Sequence, residues 1–147
     1  MKKIFLLLLF ISTIAQSQIV NIPDANFKAK LIDLGVDTNS DGNIQFSEAT
    51  AINSLSISNS NIGDLTGIEA FLNLDFLDCT FNNLQILDCM ANSNLTAIYF
   101  IGNPLLHTVL IKNGSNESLN MDYGSWTENW MPFNNPSIQY VCVDENQ

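Results

Sequence analysis

The clearest chemistry in this chain lies in twelve consecutive residues, Asp37-Thr38-Asn39-Ser40-Asp41-Gly42-Asn43-Ile44-Gln45-Phe46-Ser47-Glu48. Oxygen-bearing side chains recur at every second position from Asp37 to Asp41, a glycine follows, and a glutamate closes the run. A short loop that wraps a hard cation in about 6 to 8 oxygens needs this alternation, because the residues between the ligands must point away. Asp37, Asn39 and Asp41 offer side-chain oxygens, Asn43 its backbone carbonyl, Gln45 a bridging water, and Glu48 both carboxylate oxygens. Gly42 permits the sharp turn and Ile44 is the apolar anchor. A solvated turn is the plainer reading, since Asp, Asn, Ser and Gly all favour turns. Six matched positions favour calcium instead, and three carboxylates predict weak binding, about 10⁻⁴–10⁻³ M.

This is the spacing of an EF-hand loop. The elements around it are those of a cap. From Pro23 to Gly35 the chain reads as one short amphipathic helix, with Asp24 at its start, Phe27, Leu31 and Leu34 at i, i+4 and i+7, and Gly35 at its end. After Glu48 no long second helix follows, because Ala49-Thr50-Ala51 runs straight into a different pattern. The ion is therefore expected to be structural, holding residues 18–51 as an N-terminal cap.

Lys2 and Lys3, the apolar run Ile4 to Ile11 and the small residues of Ala15-Gln16-Ser17 predict a secretory signal peptide over residues 1–17. Export implies an oxidising, calcium-rich compartment outside the cell or on its outer surface. The 147-residue chain carries 15 acidic and 5 basic residues, a formal charge of −10, and loss of the leader leaves three lysines and a charge of −12. With no arginine at all, bidentate phosphate clamps are missing, and nucleic acid and anionic membrane surfaces are excluded as partners. Three cysteines cannot all pair within one chain.

From Ile52 the sequence repeats. The template L-x-x-L-x-L-x-x-N-x-L is filled by Leu74, Leu77, Cys79, Asn82 and Leu84, and again by Leu95, Ile98, Phe100, Asn103 and Leu105. An earlier copy, Ile52, Leu55, Ile57, Ser60 and Ile62, has Ser for Asn. Half-period echoes, Leu84-Leu87-Cys89-Asn92 and the weaker Leu106-Val109-Ile111, place a second strand in each coil. The first coil instead has helical spacing at Leu65, Ile68, Phe71 and Leu72. The fold class expected is α/β: a leucine-rich-repeat solenoid of short stacked strands, residues 52–147, behind a helix and EF-hand-like loop cap. One coil cannot bury its own apolar side, so stacking is obligatory. An irregular insertion at about residues 114–137 holds Trp126, Trp130, Met131 and Phe133, expected to pack rather than bind. Ile138, Val141, Val143 and Asn146 start another copy, and the expectation is that the chain is truncated inside it.

The run Ile22 to Phe27, the loop Asp37 to Glu48, Leu65-Thr66-Gly67-Ile68-Glu69 and the two Leu-Asp-Cys triplets, 77–79 and 87–89, resemble secreted internalin-like leucine-rich-repeat proteins of Gram-negative bacteria. The resemblance covers nearly all of the chain beyond the leader. It implies an exported binding or adhesion module, in a family many of whose members end in a type IX sorting domain that is not visible here.

Alternation turns Ser54, Ser56, Ser58, Phe76, Asp78, Thr80, Ala97, Tyr99 and Ile101 outward on the main sheet, with Tyr140, Cys142 and Asp144 beside them if the last strand joins. Phe76, Asp78, Tyr99, Ile101 and Tyr140 are the candidate contacts for a protein or glycan ligand, though such side chains also pack ladder-wise on one another. Cys79 and Cys89 read as core fillers on opposite walls with no disulfide between them, and Cys142 as the thiol that can meet a partner. His107 reads as a surface residue. Asp78 and Asp88 read as solvated strand positions and not an acid and base pair, so the module is expected to be non-catalytic. The alternatives are a surface glycan-active enzyme and a passive spacer within a larger surface protein.

Overall fold

The computed structural model describes residues 18–114, Ser137 and residues 139–142. The expected leader 1–17, Trp126, Trp130, Met131 and Phe133 of the expected insertion, and Ile138, Val143, Asp144 and Asn146 lie outside the described residues. The described chain enters as an extended segment that pairs with the acidic loop. Ile19 and Gln45 form an antiparallel bridge, the Val20 N–H donates to the Ile44 carbonyl at 2.8 Å, and the Phe46 N–H donates to the Gln18 carbonyl at 2.8 Å.

Helix α1 spans Ala25–Asp33. Asp24 caps it, its Oδ1 accepting from the N–H groups of Asn26 and Phe27 at 2.9 and 3.0 Å. At the other end Gly35 adopts φ 76°. Its N–H donates to the Ile32 carbonyl and that of Val36 to Leu31, the double closure that a left-handed glycine makes cheap. Phe27 and Leu31 are buried, but Leu34 is exposed. The expected apolar stripe stops short there because Leu34 is the C-cap and Val36, folded back toward Leu31, is buried instead. Helix α2, Phe46–Ala49, is a single turn.

Six three-residue strands follow: β1 Ser54–Ser56, β2 Phe76–Asp78, β3 Ile86–Asp88, β4 Ala97–Tyr99, β5 Thr108–Leu110 and β6 Tyr140–Cys142. They form two parallel sheets, β1-β2-β4 and β3-β5-β6. Leu55, Leu77 and Ile98 align across the first and Leu87, Val109 and Val141 across the second. Each full copy of the repeat gives one strand to each sheet. The first copy gives β1 and then a 3-10 turn, Ile68–Ala70, with Leu65, Ile68 and Phe71 buried and Leu72 exposed. Between the sheets lie Leu74, Leu77, Cys79, Leu84, Leu87 and Cys89, then Leu95, Ile98, Phe100, Leu106, Val109 and Ile111, all buried.

Two expectations are corrected. Leu105, expected inward, is 52% exposed, because Pro104 adds one residue between the turn asparagine and the next inward position, which Leu106 fills, fully buried, as its half-period echo implies. Strand β6 pairs with β5 and not with β4, so Tyr140 stands opposite Thr108 and away from Tyr99. A period of two separates inward from outward residues but does not say which of two parallel walls a strand joins.

The turns between sheets leave backbone groups inside the stack, and asparagines satisfy them. Asn82 Oδ1 accepts from the N–H groups of Ser60 and Ile62 in the preceding coil at 3.1 and 3.0 Å, while its Nδ2 donates to the carbonyls of Ile57 and Cys79. Asn103 repeats the arrangement one coil on, accepting from Leu84 N–H and donating to Cys79 and Phe100. On the other wall Asn92 donates to Ile68 and Phe71, and Asn113 to the Asn92 carbonyl. The fully buried Asn92 Oδ1 has no partner among the described residues. The N–H groups of Phe71 and Leu74 in the coil below donate instead to Ile68 and Phe71, within the 3-10 region.

This asymmetry makes a prediction. An unsatisfied buried polar group costs about 1–3 kcal/mol, so Asn82→Ala should lower stability by about 3 kcal/mol or more and Asn92→Ala by clearly less. Urea unfolding of the two variants checks it, and equal losses would contradict the account.

Candidate functional site

The acidic loop is folded around its own oxygens. Asp37 Oδ1 accepts from Asp41 N–H at 3.2 Å and its Oδ2 from Gly42 N–H at 2.9 Å. Asn39 Oδ1 accepts from Asp41 N–H at 2.9 Å, and Asp41 Oδ1 from Asn43 N–H at 2.8 Å. The Glu48 carboxylate reaches back across the loop. Its Oε1 accepts from Thr38 N–H at 2.8 Å, Thr38 Oγ1 at 2.7 Å and Asn39 N–H at 3.3 Å, and its Oε2 from Gln45 N–H at 2.9 Å. Gly42 has φ 79°, the left-handed turn expected of it. Asn43 Oδ1 accepts from Lys28 Nζ at 3.2 Å, which ties the loop to α1.

The six expected cation ligands lie in one segment, from Asp37 in the loop to Glu48 in α2. Among the described residues no group of three His, Cys, Asp or Glu side chains gathers in a metal-holding arrangement. The carboxylates are interleaved with amides: Asn39 Nδ2 donates to Asp41 Oδ2 and Gln45 Oε1, and Gln45 Nε2 donates to Asp41 Oδ2. The donor set is all oxygen and carries three negative charges, which suits a hard divalent cation and not a transition metal.

Asp24, expected only as a helix cap, also holds the cap to the first coil. Its Oδ2 accepts from Gly63 and Asp64 N–H at 2.8 and 3.1 Å. Burial pushes this carboxyl up, but four backbone N–H bonds outweigh it and hold the group below its ordinary 3.8. Glu48 behaves alike: burial raises it, while the bonds from Gln45, Thr38 and Asn39 bring it below 4.5. The exposed Asp41 is lowered mainly by Asn43 N–H.

The outward side of β1-β2-β4 carries the candidate ligand contacts. The rings of Phe76 and Tyr99 lie 5.4 Å apart, centroid to centroid, tilted by 51°. Asp78 stands two residues along from Phe76, its Oδ1 accepting from Thr80 N–H and Oγ1 and its Oδ2 from Ser56 Oγ. Ile101 is half-buried at the end of the same face. Tyr140, on the other sheet, is not part of it.

Asp78 and Asp88 belong to different sheets, as their spacing implied. His107, expected at the surface, is half-buried, with its Nδ1 2.9 Å from Thr108 Oγ1. All three cysteines are free. Burial pushes the Cys89 thiol up to about 12 and raises the Cys79 thiol well above its ordinary value as well, with Cys79 donating to the Tyr99 carbonyl at 3.3 Å.

No family model matches the sequence, and no curated protein does. Solved structures similar to it include the functional domain of InlJ from Listeria monocytogenes, 30% identical over 62% of this chain and 23% of that one, with a TM-score of 0.47. An internalin, InlF, of the same species is 20% identical over 89% of this chain and 47% of that one, TM-score 0.46. The CBM51-2 and INT domains of ZmpB from Clostridium perfringens are 23% identical over 57% of this chain and 19% of that one, TM-score 0.46. The chain spans less than half the length of each. No described helix is long and apolar enough to cross a membrane.

Three carboxyls lowered by folding set a pH dependence. The unfolded chain binds more protons than the folded one where these groups titrate, so stability rises with pH there. Their contribution is full above the ordinary 3.8 and 4.5 of Asp24 and Glu48 and is lost as pH falls through the folded values. The urea midpoint should drop below roughly pH 4.5, and Asp24→Asn should flatten that drop. A wild-type midpoint unchanged down to roughly pH 3 would contradict it.

Proposed function

We propose that this chain is an exported, non-catalytic binding module of the internalin-like kind. In this reading a leucine-rich-repeat solenoid, closed at its N-terminal end by α1 and a calcium loop, presents β1-β2-β4 to a protein or glycan ligand outside the cell. The observation that carries it is the Phe76–Tyr99 pair on the outward side of a sheet whose inward residues Leu55, Leu77 and Ile98 are buried. Two large rings held on a rigid surface offer apolar contact at little entropic cost. The Asp78 carboxylate, opposite Tyr99 in the register, is occupied by Thr80 and Ser56 and faces no second acid on its own sheet strands, which supports binding over hydrolysis.

Calcium in this reading is structural. Asp37, Asn39, Asp41, Asn43, Gln45 and Glu48 would hold it, and its charge would offset three carboxylates. Because Ile44 and Gln45 pair with residues 19 and 20, an ion there would also fix the entering chain.

One set of measurements tests both parts. Melting in millimolar calcium and in chelator should give a higher midpoint with calcium, and Glu48→Gln should lose most of that shift. Calcium-loaded wild-type chain should bind members of a panel of extracellular glycans and proteins, and Phe76→Ser/Tyr99→Ser should lose them while its melting midpoint stays within about 5 °C. An unchanged midpoint removes calcium, and undiminished binding by the double variant removes this face.

A further inference from the structure

The outward face of β1-β2-β4 carries a charge that the chain itself does not answer. Asp78 stands opposite Tyr99 in the parallel register, on strands about 4.8 Å apart. The Tyr99 ring lies 5.4 Å from that of Phe76, and Phe76 belongs to the same strand as Asp78. Carboxylate and ring pair are therefore neighbours on one face. Three donors hold the carboxylate: Thr80 N–H at 3.0 Å and Thr80 Oγ1 at 2.7 Å on Oδ1, and Ser56 Oγ at 3.2 Å on Oδ2. All three are neutral, so they fix where the carboxylate points and leave its charge in place.

No cation comes from elsewhere in the sequence. Beyond the expected leader the lysines are Lys28, Lys30 and Lys112, there is no arginine, and 15 acids stand against them. Lys28 and Lys30 lie on α1, where Lys28 donates to Asn43 Oδ1, and Lys112 follows β5 of the other sheet. Residues 31–111 and 113–147 contain neither lysine nor arginine.

Charge selects the occupant. A partner without a cation that covered this face would strip water from the Asp78 carboxylate and return no countercharge, which costs more than burying a neutral group. An acidic partner would add repulsion. A basic side chain pairs with the carboxylate and, laid on the rings within about 6 Å, meets their electron-rich faces. A sheet face holds a ligand from one side, whereas small molecules are held by concave sites, so a chain segment running along Ser54, Ser56 and Asp78 suits it better than a free amine. The negative excess of the whole chain speeds the approach of such a partner.

We propose that the outward face of β1-β2-β4 docks a basic protein segment, one arginine or lysine of which rests against the Phe76–Tyr99 rings and pairs with Asp78. The proposal rests on the binding-module reading and names its partner's chemistry.

The test pans a random-peptide display library on the full chain, with a panel of neutral glycans alongside. Selected peptides should be richer in arginine and lysine than the input library. For the tightest of them Asp78→Asn, which keeps the shape and an oxygen acceptor but removes the charge, should cut affinity at least about tenfold, while Asp88→Asn, which changes the net charge equally on the other sheet, should leave it within about twofold. Exchanging the peptide's arginines one at a time for citrulline, or its lysines for acetyl-lysine, should give a loss of about tenfold at one position. That exchange leaves the chain unaltered, so it reads the charge even where Asp78→Asn folds poorly. Equal losses from Asp78→Asn and Asp88→Asn would overturn the proposal, because the general field and not this face would then hold the peptide. Selected peptides without basic residues, or binding confined to the neutral glycans, would overturn the basic-segment assignment and leave the binding module standing. No binding to any probe would remove both.

Discussion

Each described coil turns sharply between its strands, and the turns carry backbone N–H and C=O groups into a space that water does not reach. An unmet group there costs as much as a good hydrophobic contact contributes, so the stack depends on how the turns are satisfied. Asparagine is suited to the task because one amide both donates and accepts. Asn82 and Asn103 each bond their own coil and the one before, so the same side chain closes a turn and fixes the spacing between layers. The strands are only three residues long, and the asparagine columns supply much of what longer ladders would.

The cap meets the same constraint with a carboxylate. Asp24 caps the start of α1 and accepts from the first turn of the repeats through its other oxygen. Asn26 adds a bond to the Asn61 carbonyl, and the chain passes so near Gly67 that a methyl there would stand 2.7 Å from Ile22 Cγ1. Cap and repeats are therefore one packed unit, in which the acidic loop, the entering segment and the first coil constrain one another. The outward sheet face inherits that rigidity.

Much of this was legible in the residues. The offsets of 22 and 21 between repeat copies reappear as strand registers, because an inward apolar residue that fails to align loses its partner in the next layer. The 3-10 segment in the first coil accords with the spacing of Leu65, Ile68 and Phe71, and the single-turn α2 with the change of pattern at Ala49-Thr50-Ala51. The misses have local causes. Pro104 shifted Leu105 outward, which a fixed template does not register. Parity could not choose between two parallel walls, so β6 was set beside the wrong strand. The twofold role of Asp24 depends on Gly63 and Asp64, some forty residues away in the chain.

The central claim is that asparagine side chains, as much as strand pairing, hold the coils in register. Amide hydrogen exchange of the full chain reads this directly at Ile62 and Leu84, whose N–H groups donate to Asn82 and Asn103 side chains and to no strand. These two amides should exchange as slowly as those in the strands, through the same cooperative opening. Exchange at both sites as fast as in an exposed turn would contradict the account.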